Sequence, residues 1–175
     1  MALKLARVAA GLYLAALATT ATAQETSSNR VASNVDWNVF EDVNPTECWG
    51  VSAPKESVNT RDGRVVAVRR SEIQLFVTFR DASSAKGEIS FTGGYPFAPG
   101  STVNMAIGDS EFQLITEGEW AWPLEGQDGN IITAMKRGSK AVMTARSARG
   151  TQTQDTFSLL GFTAAVEDAE KRCSK

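Results

Sequence analysis

The stretch that decides the fold is DTFSLLGFTAAVEDAEKRC, residues 155–173. Residues 156–160 are mostly apolar and predict a strand, and Gly161 then breaks the pattern. From residue 162 onward the apolar positions recur at the spacing of a helix. The residues on this apolar face are Phe162, Ala165, Val166 and Ala169. The stretch therefore predicts a strand and a short helix that close the domain.

The other face of this predicted helix carries acidic residues four positions before basic residues. The two pairs are Glu167 with Lys171 and Asp168 with Arg172. Each pair at this spacing stabilises a helix by about 0.2–0.5 kcal/mol. Cys173 lies four residues after Ala169 and extends the apolar row, so we expect its sulfur to face the body of the protein.

The first 23 residues have the pattern of a cleaved secretory signal peptide. Lys4 and Arg7 precede an apolar run at residues 8–18, and Ala21–Ala23 is a typical cleavage motif. The apolar run is too short to span a bilayer comfortably, which argues against a membrane anchor. We expect the exported chain to begin at Gln24 and to have no transmembrane anchor.

The two cysteines of the chain are Cys48 and Cys173. Exported proteins reach oxidising compartments, in which disulfides persist. We therefore predict a bridge between Cys48 and Cys173 that joins the beginning of the folded region to its end. A pair of free thiols is the alternative.

The chain has the length of one domain. Removing the first 23 of its 175 residues leaves 152, which is typical of a single domain. Residues 24–34 are polar except for Val31 and Ala32 and predict a flexible lead-in. We expect residues 35–175 to form one β-rich domain.

Alternating apolar and polar residues predict short strands along most of this domain. The pattern is clearest at residues 73–80, and the first strand is expected to begin at Val35. The Asp62–Gly63 turn signal predicts that a strand follows it at residues 65–68. A further hairpin is predicted between residues 102 and 116.

One internal helix is predicted at residues 128–137, with Asp128 as its N-cap. The remaining pattern gives about eight to ten short strands without regular alternation of strands and helices. We therefore predict an all-β fold, a single antiparallel β-sandwich or barrel-like domain with one or two short helices, including a C-terminal one.

The composition excludes several kinds of chemistry. The chain has no histidine, which removes Ser-His-Asp catalysis and histidine metal sites. It has no glycine-rich phosphate-binding motif, and its net charge of −2 gives no electrostatic footprint for nucleic acid. We expect no enzymatic activity, no cofactor and no metal.

Carboxylate chemistry remains open as an alternative. Glu117 and Glu119 lie two residues apart and would share a face in a strand, as a pair of acid and base groups in glycoside hydrolysis requires. A solvated turn beside Gly118 is the simpler interpretation, because acidic side chains are mostly exposed.

Binding has more residues to draw on than catalysis. Aromatic side chains that could form a surface for a sugar or a protein include Trp49 and four candidate binding residues, namely Tyr95, Phe97, Trp120 and Trp122. Burial in the core is the alternative for each ring. Arg146 and Arg149 flank a polar turn and are candidates for binding an anion, with a structural role at backbone carbonyls as the alternative.

Five features of the chain, taken together, form a pattern found in one family. They are the signal peptide, the DW-x-V phrase at 36–39, the Cys48–Trp49 pair, the strand around 73–79 and the SLLGFTAA phrase at 158–165. In these features the chain resembles the invasion-associated locus B family of exported bacterial proteins. Many relatives carry a further cysteine pair in the middle of the domain, which this chain lacks.

The resemblance implies a small periplasmic or surface-associated β-rich protein with Cys48 and Cys173 as structural disulfide partners. It suggests a role in host-cell invasion or in the envelope. Our leading hypothesis is a non-enzymatic exported protein that binds a protein or an envelope component, with an envelope or host-surface protein, or a glycan, as the expected partner. A glycan-binding module and a carboxylate-based glycan hydrolase are the alternatives. The expected location is the periplasm, with attachment to the outer surface or secretion as alternatives.

Overall fold

The computed structural model describes residues 29–44, 46–80 and 84–174. The predicted signal peptide and residues 24–28 of the predicted lead-in lie outside these ranges. Within them the chain forms twelve strands and two helices. The strands are β1 (Arg30–Asn34), β2 (Trp37–Val43), β3 (Thr46–Ser52), β4 (Glu56–Arg61), β5 (Arg64–Val65), β6 (Gln74–Arg80), β7 (Ser84–Thr92), β8 (Thr102–Ile107), β9 (Ser110–Glu117), β10 (Trp120–Pro123), β11 (Lys140–Arg146) and β12 (Gln152–Ser158). The helices are α1 (Asp128–Arg137) and α2 (Phe162–Cys173).

All twelve strands belong to one sheet. Their spatial order is β1-β2-β3-β6-β7-β10-β9-β8-β11-β12-β4-β5, and every pair of neighbours is antiparallel. This confirms the predicted antiparallel, sandwich-like class of fold with a C-terminal helix.

The inner face of the sheet encloses a single core. Trp37 of β2 is buried, and its indole Nε1 donates a 2.9 Å hydrogen bond to the carbonyl oxygen of Ser158 at the end of β12. The backbone N–H of Asp36 donates to the carbonyl of Leu160. These bonds join the first strands to the last ones, although β2 and β12 are far apart in the strand order.

The start of α2 requires a glycine. Gly161 has φ +86°, a left-handed conformation that residues with a Cβ adopt only with strain. A Cβ at this position would lie 1.9 Å from the carbonyl oxygen of Asn34. The absence of a side chain at Gly161 therefore lets the chain turn into α2 while it touches the end of β1.

Helix α2 covers one end of the inner face, where it packs on β2, β3 and β6. The predicted disulfide between Cys48 and Cys173 is present, with both cysteines buried and their Cα atoms 5.8 Å apart. The bridge therefore fixes the last turn of α2 to β3 across a sequence separation of 125 residues.

Of the two charge pairs predicted on α2, the structure confirms the one between Asp168 and Arg172. The Nε of Arg172 lies 3.0 Å from Oδ2 of Asp168, and its Nη1 also reaches Oε2 of Glu41 on β2 at 3.1 Å. Glu167 instead pairs with Lys136 of α1 at 3.2 Å. The two helices lie close enough that Glu167 finds its cation on the neighbouring helix.

The internal helix spans the predicted residues, but its N-cap differs. Gln127 occupies the N-cap position, and Asp128 is the first helical residue. The carboxylate of Asp128 accepts a 2.8 Å hydrogen bond from the backbone N–H of Ile89 on β7. The carboxylate that the sequence pattern assigned to capping α1 therefore forms a hydrogen bond with β7 instead.

The start of the fold differs from the prediction in two ways. Residues 30–34, part of the predicted flexible lead-in, form edge strand β1 on β2. An edge strand is held by its backbone hydrogen bonds, so its polar side chains do not prevent pairing. Val35 does not begin a strand but lies in the β1–β2 turn, 77% exposed and with φ +53°.

A polar strand in the middle of the chain was missed. Residues 56–61 form β4, which pairs with β12, and the Asp62–Gly63 turn then leads into the two-residue strand β5. The predicted strand therefore ends at Val65, and residues 66–68 are irregular. The sequence ESVNTR lacks the apolar alternation on which a strand prediction depends.

Within the described ranges, neither helix has the length or hydropathy that crossing a membrane requires.

We expect the disulfide to contribute strongly to stability. Reduction, or replacement of both cysteines by alanine, should lower the melting temperature of the chain beginning at Gln24 by roughly 5–15 °C. A bridge of this kind is commonly worth about 2–4 kcal/mol, and about 1 kcal/mol shifts a domain of this size by roughly 2–4 °C. Differential scanning calorimetry with and without reductant measures the shift. An unchanged melting temperature would show that the bridge adds no stability.

Candidate functional site

Four of the six candidate binding residues lie in two places on the molecule. Trp120 and Trp122 lie on the outer face of the sheet, which is the face opposite α2. Tyr95 and Arg149 line a cleft formed by β4, two loops and the β11–β12 turn. The structure therefore presents two candidate surfaces.

The first surface, which we name the aromatic face, consists of five side chains on β2, β3, β6 and β10. They are Phe40, Trp49, Phe76, Trp120 and Trp122. The ring centroids of Phe40 and Trp49 are 5.6 Å apart, those of Phe76 and Trp120 are 5.7 Å apart, and those of Trp120 and Trp122 are 6.3 Å apart. Strand alternation explains the arrangement, because Trp37, Val39 and Cys48 point inward and leave their neighbours outside.

The two exposed rings of the aromatic face belong to β10. Trp120 and Trp122 are 39% and 41% exposed, and their planes differ by only 24°. They border a groove of about 330 Å³ that also contains the hydroxyl side chains of Thr78 and Ser90. At the end of the groove, Arg80 forms ion pairs with Glu47 at 2.9 Å and with Glu88. The groove thus combines flat apolar rings with polar groups at its edge.

Two of the predicted binding residues contribute to neither surface. Phe97 is 5% exposed and packs against Phe91 and Tyr95, with centroids 6.1 and 5.2 Å away. It is therefore a core residue. Arg146 is exposed at the end of β11, but it does not line the cleft.

The second surface, which we name the arginine cleft, has a volume of about 740 Å³. Its arginines come from three separate segments: Arg61 ends β4, Arg69 and Arg70 lie in the β5–β6 connection, and Arg149 lies in the β11–β12 turn. Glu119 is the one carboxylate among its lining residues.

A buried ion pair forms the floor of the arginine cleft. Asp155 is 0% exposed and accepts two hydrogen bonds from Arg70, from Nη1 at 2.8 Å and from Nη2 at 2.6 Å. The hydroxyl of Ser57 donates to the same carboxylate at 2.7 Å. The Nε of Arg70 donates to the carbonyl of Gly93 at 2.8 Å, and its guanidinium lies 4.9 Å from the ring centroid of Tyr95. Strand β12, β4 and two loops therefore meet at this pair.

The environment of Tyr95 changes its acidity. The ring is half-buried against Arg70 and Phe97, and its hydroxyl is hydrogen-bonded to that of Thr153. Burial raises the pKa of Tyr95 above its usual value of 10.0, because the phenolate loses solvation. The hydrogen bond with Thr153 and the charge of Arg70 lower the pKa, but their effects are smaller than that of burial.

The structure does not arrange Glu117 and Glu119 as a catalytic pair. Both are exposed at the β9–β10 hairpin, on either side of Gly118, and only Glu119 lines the arginine cleft. Glycoside hydrolysis needs two carboxyl groups that face one bound sugar from opposite sides. Of the two, only Glu119 borders the arginine cleft. In the part of the chain that the structure describes, acidic residues and cysteines also form no group of three that could hold a metal.

The sequence patterns did not predict the ion pair, and among the arginines around it they indicated only Arg149. The inward positions of β12 are Thr153, Asp155 and Phe157, so a carboxylate at the centre of this series is a signal of a buried charge. Its partner could not be found in the same way, because Arg70 lies 85 residues earlier in an irregular segment.

Comparison with known proteins gives one family and one fold. The model of the family described as invasion associated locus B (IalB) protein matches residues 48–170, which is more than half of the chain. No curated protein sequence matches this chain. Among solved structures, that of invasion associated protein b from Bartonella henselae has a TM-score of 0.55 and 14% sequence identity, and the match covers 79% of this chain and 94% of that one. At this identity the structural likeness concerns the fold alone.

We expect Asp155→Asn to destabilise the protein by about 3–5 kcal/mol. The substitution leaves the buried cation of Arg70 without its counter-charge, and breaking such pairs typically costs this much. Urea denaturation measures the change. Asp168→Asn is the matched control, since it breaks the partly exposed pair with Arg172 and should cost at most about 1 kcal/mol. Equal effects of the two substitutions would contradict the structural role of the buried pair.

Tyr95 should titrate above its ordinary range. It is the only tyrosine after Tyr13, so ultraviolet absorbance of the chain beginning at Gln24 reports this residue alone. The unfolded chain should release the phenolic proton near pH 10.0 and the folded protein at higher pH. Because the unfolded state ionises first, the free energy of unfolding should fall as the pH rises from 10.0 through the folded pKa. Identical titration curves in the presence and absence of denaturant would contradict this prediction.

Proposed function

This chain belongs to the invasion associated locus B family, and on that premise we propose that it is a non-enzymatic exported protein that binds an envelope component. The proposed binding surface is the aromatic face. The proposed location is the periplasm or the outer surface of the cell, in agreement with the signal-peptide pattern of residues 1–23.

The observation that carries the proposal is the exposure of Trp120 and Trp122 on a rigid sheet. Tryptophan is normally at least partly covered, and a pair of adjacent exposed indoles is an unfavourable surface to leave in water. Both rings lie on β10, which pairs with β9 along its whole length and with β7 at Trp120 and Ala121. Their positions are therefore set before any ligand binds, which reduces the entropy lost on binding.

Among envelope components, the groove best fits a glycan. The pyranose ring has flat apolar faces edged by hydroxyl groups, so it can stack on an indole while its hydroxyls form hydrogen bonds at the side. The groove offers both features, with Trp120 and Trp122 as the platform and Thr78, Ser90 and Glu47 along it. A protein ligand is the competing occupant, since tryptophan is also enriched at protein interfaces.

The test is binding of a series of N-acetylglucosamine oligomers, which are neutral and contain the sugar present in bacterial envelope glycans. Calorimetric titration should measure binding in the original protein and in every variant, and affinity should rise with oligomer length until the groove is filled. Trp120→Ala together with Trp122→Ala should weaken binding about tenfold or more, which corresponds to about 1.4 kcal/mol or more.

The matched control is Leu160→Ala, which removes an exposed apolar side chain away from the groove. This variant should bind like the original protein, and all variants should keep its melting temperature within a few degrees. Binding that persists in the double tryptophan variant would overturn the aromatic face as the site. If no oligomer binds, while cross-linking through position 122 captures an envelope protein, the glycan assignment is wrong and the competing protein assignment is favoured.

A further inference from the structure

The arginine cleft is a second binding surface that does not depend on the aromatic face. Arg61, Arg69 and Arg149 are all exposed and line the same depression. None of the three forms an ion pair with another described residue, and Arg61 has only the neutral hydroxyl of Thr151 as a partner, at 2.7 Å. Three arginines without an ion-pair partner among the described residues therefore line one cleft, although the net charge of the chain is −2.

The remaining charges of the cleft do not cancel this positive field. Arg70 is neutralised by Asp155, and that carboxylate is 0% exposed, so it lies beneath the floor and does not face the cleft. Glu119 opposes the three arginines with a single negative charge. The cleft wall therefore keeps an excess of positive charge, and the concave shape of the surface focuses the resulting electrostatic field into the cleft.

The floor also makes the cleft rigid. The backbone N–H of Ser71 donates to the carbonyl of Gly94 at 3.0 Å, and a Cβ on Gly94 would lie 2.6 Å from the carbonyl oxygen of Ser71. This close contact and the buried pair hold the segment that carries Arg69. Tyr95, Pro96 and Val68 add apolar surface to the lining.

From this arrangement we propose that the cleft binds a small organic anion, a molecule that carries a phosphate, sulfate or carboxylate group on a body of about sugar size. Guanidinium groups bind such oxyanions through paired, charge-assisted hydrogen bonds. The volume of about 740 Å³ is within the usual range for small-molecule sites and far exceeds that of a bare inorganic ion. The body of the ligand lies against Tyr95 and Pro96, and its anionic group lies between Arg69 and Arg149.

The test compares glucose, glucose 6-phosphate and glucuronate, which share a ring and differ in charge and in the type of anion. Calorimetric titration of the chain beginning at Gln24 should give at least tenfold tighter binding for one of the two anions than for glucose. The stronger of the two anions identifies the preferred group, phosphate or carboxylate. In nuclear magnetic resonance spectra the bound anion should shift the amide signals of Gly94, Tyr95 and Thr151 and leave the indole signals of Trp120 and Trp122 unchanged.

Arg69→Gln with Arg149→Gln should abolish the preference for the anion, and both positions are exposed, so the fold should be retained. Arg137→Gln is the matched control, since it removes an equally exposed arginine on α1 and should leave binding unchanged. An equal loss with Arg137→Gln, or equal binding of glucose and both anions, would overturn the proposal. Shifts confined to the indole signals would also overturn it, and they would assign the anions to the aromatic face instead.

Discussion

The need to neutralise the buried charge of Asp155 constrains the arrangement of the segments that form the arginine cleft. A carboxylate inside the protein is tolerated only with a counter-charge and hydrogen bonds, and Arg70 and Ser57 supply both. Because Arg70 also holds the carbonyl of Gly93, the irregular segment before β6 and the loop after β7 are fixed to β12 and β4. The arginine cleft is formed from these segments. Its shape therefore follows from an electrostatic requirement in the core.

The aromatic face has a different physical origin. The inner face of β2, β3, β6 and β10 is covered by the core and by α2, so strand alternation places the neighbouring rings outside. Polar side chains at these outer positions would give an ordinary solvated sheet. The chain instead carries five aromatic side chains there, and the two of β10 are the most exposed. The two surfaces meet in sequence at the β9–β10 hairpin, where Glu119 lines the cleft and Trp120 lines the groove.

Local patterns predicted the class of fold, both helices and the disulfide. The spacing of apolar residues and the turn signals indicated the strands and helices, and the signal-peptide pattern indicated an oxidising compartment for the two cysteines. These patterns failed where contacts with residues distant in sequence determine the local structure. Strand β4 is polar and forms because its backbone can pair with that of β12. The carboxylate of Asp128 does not cap α1 but accepts a hydrogen bond from the backbone N–H of Ile89. The residues of the two candidate surfaces were predicted only in part. Trp120, Trp122, Tyr95 and Arg149 do lie on the two surfaces, whereas Phe97 is in the core. The partnership of Arg70 with Asp155 could not be predicted, because nothing in an irregular segment indicates a contact 85 residues away.

The position of the Cys48–Cys173 bridge has a consequence for the order of events during biogenesis. Cys48 is synthesised early, and its partner Cys173 lies 125 residues later in the chain. Until Cys173 is synthesised, the part of the core beneath α2 is uncovered, and Cys48 is available to other thiols. A chain that is truncated before residue 173 therefore retains both an uncovered hydrophobic surface beneath α2 and an unpaired Cys48. Completion of the last helix is therefore the step that both covers this part of the core and supplies the second cysteine of the bridge.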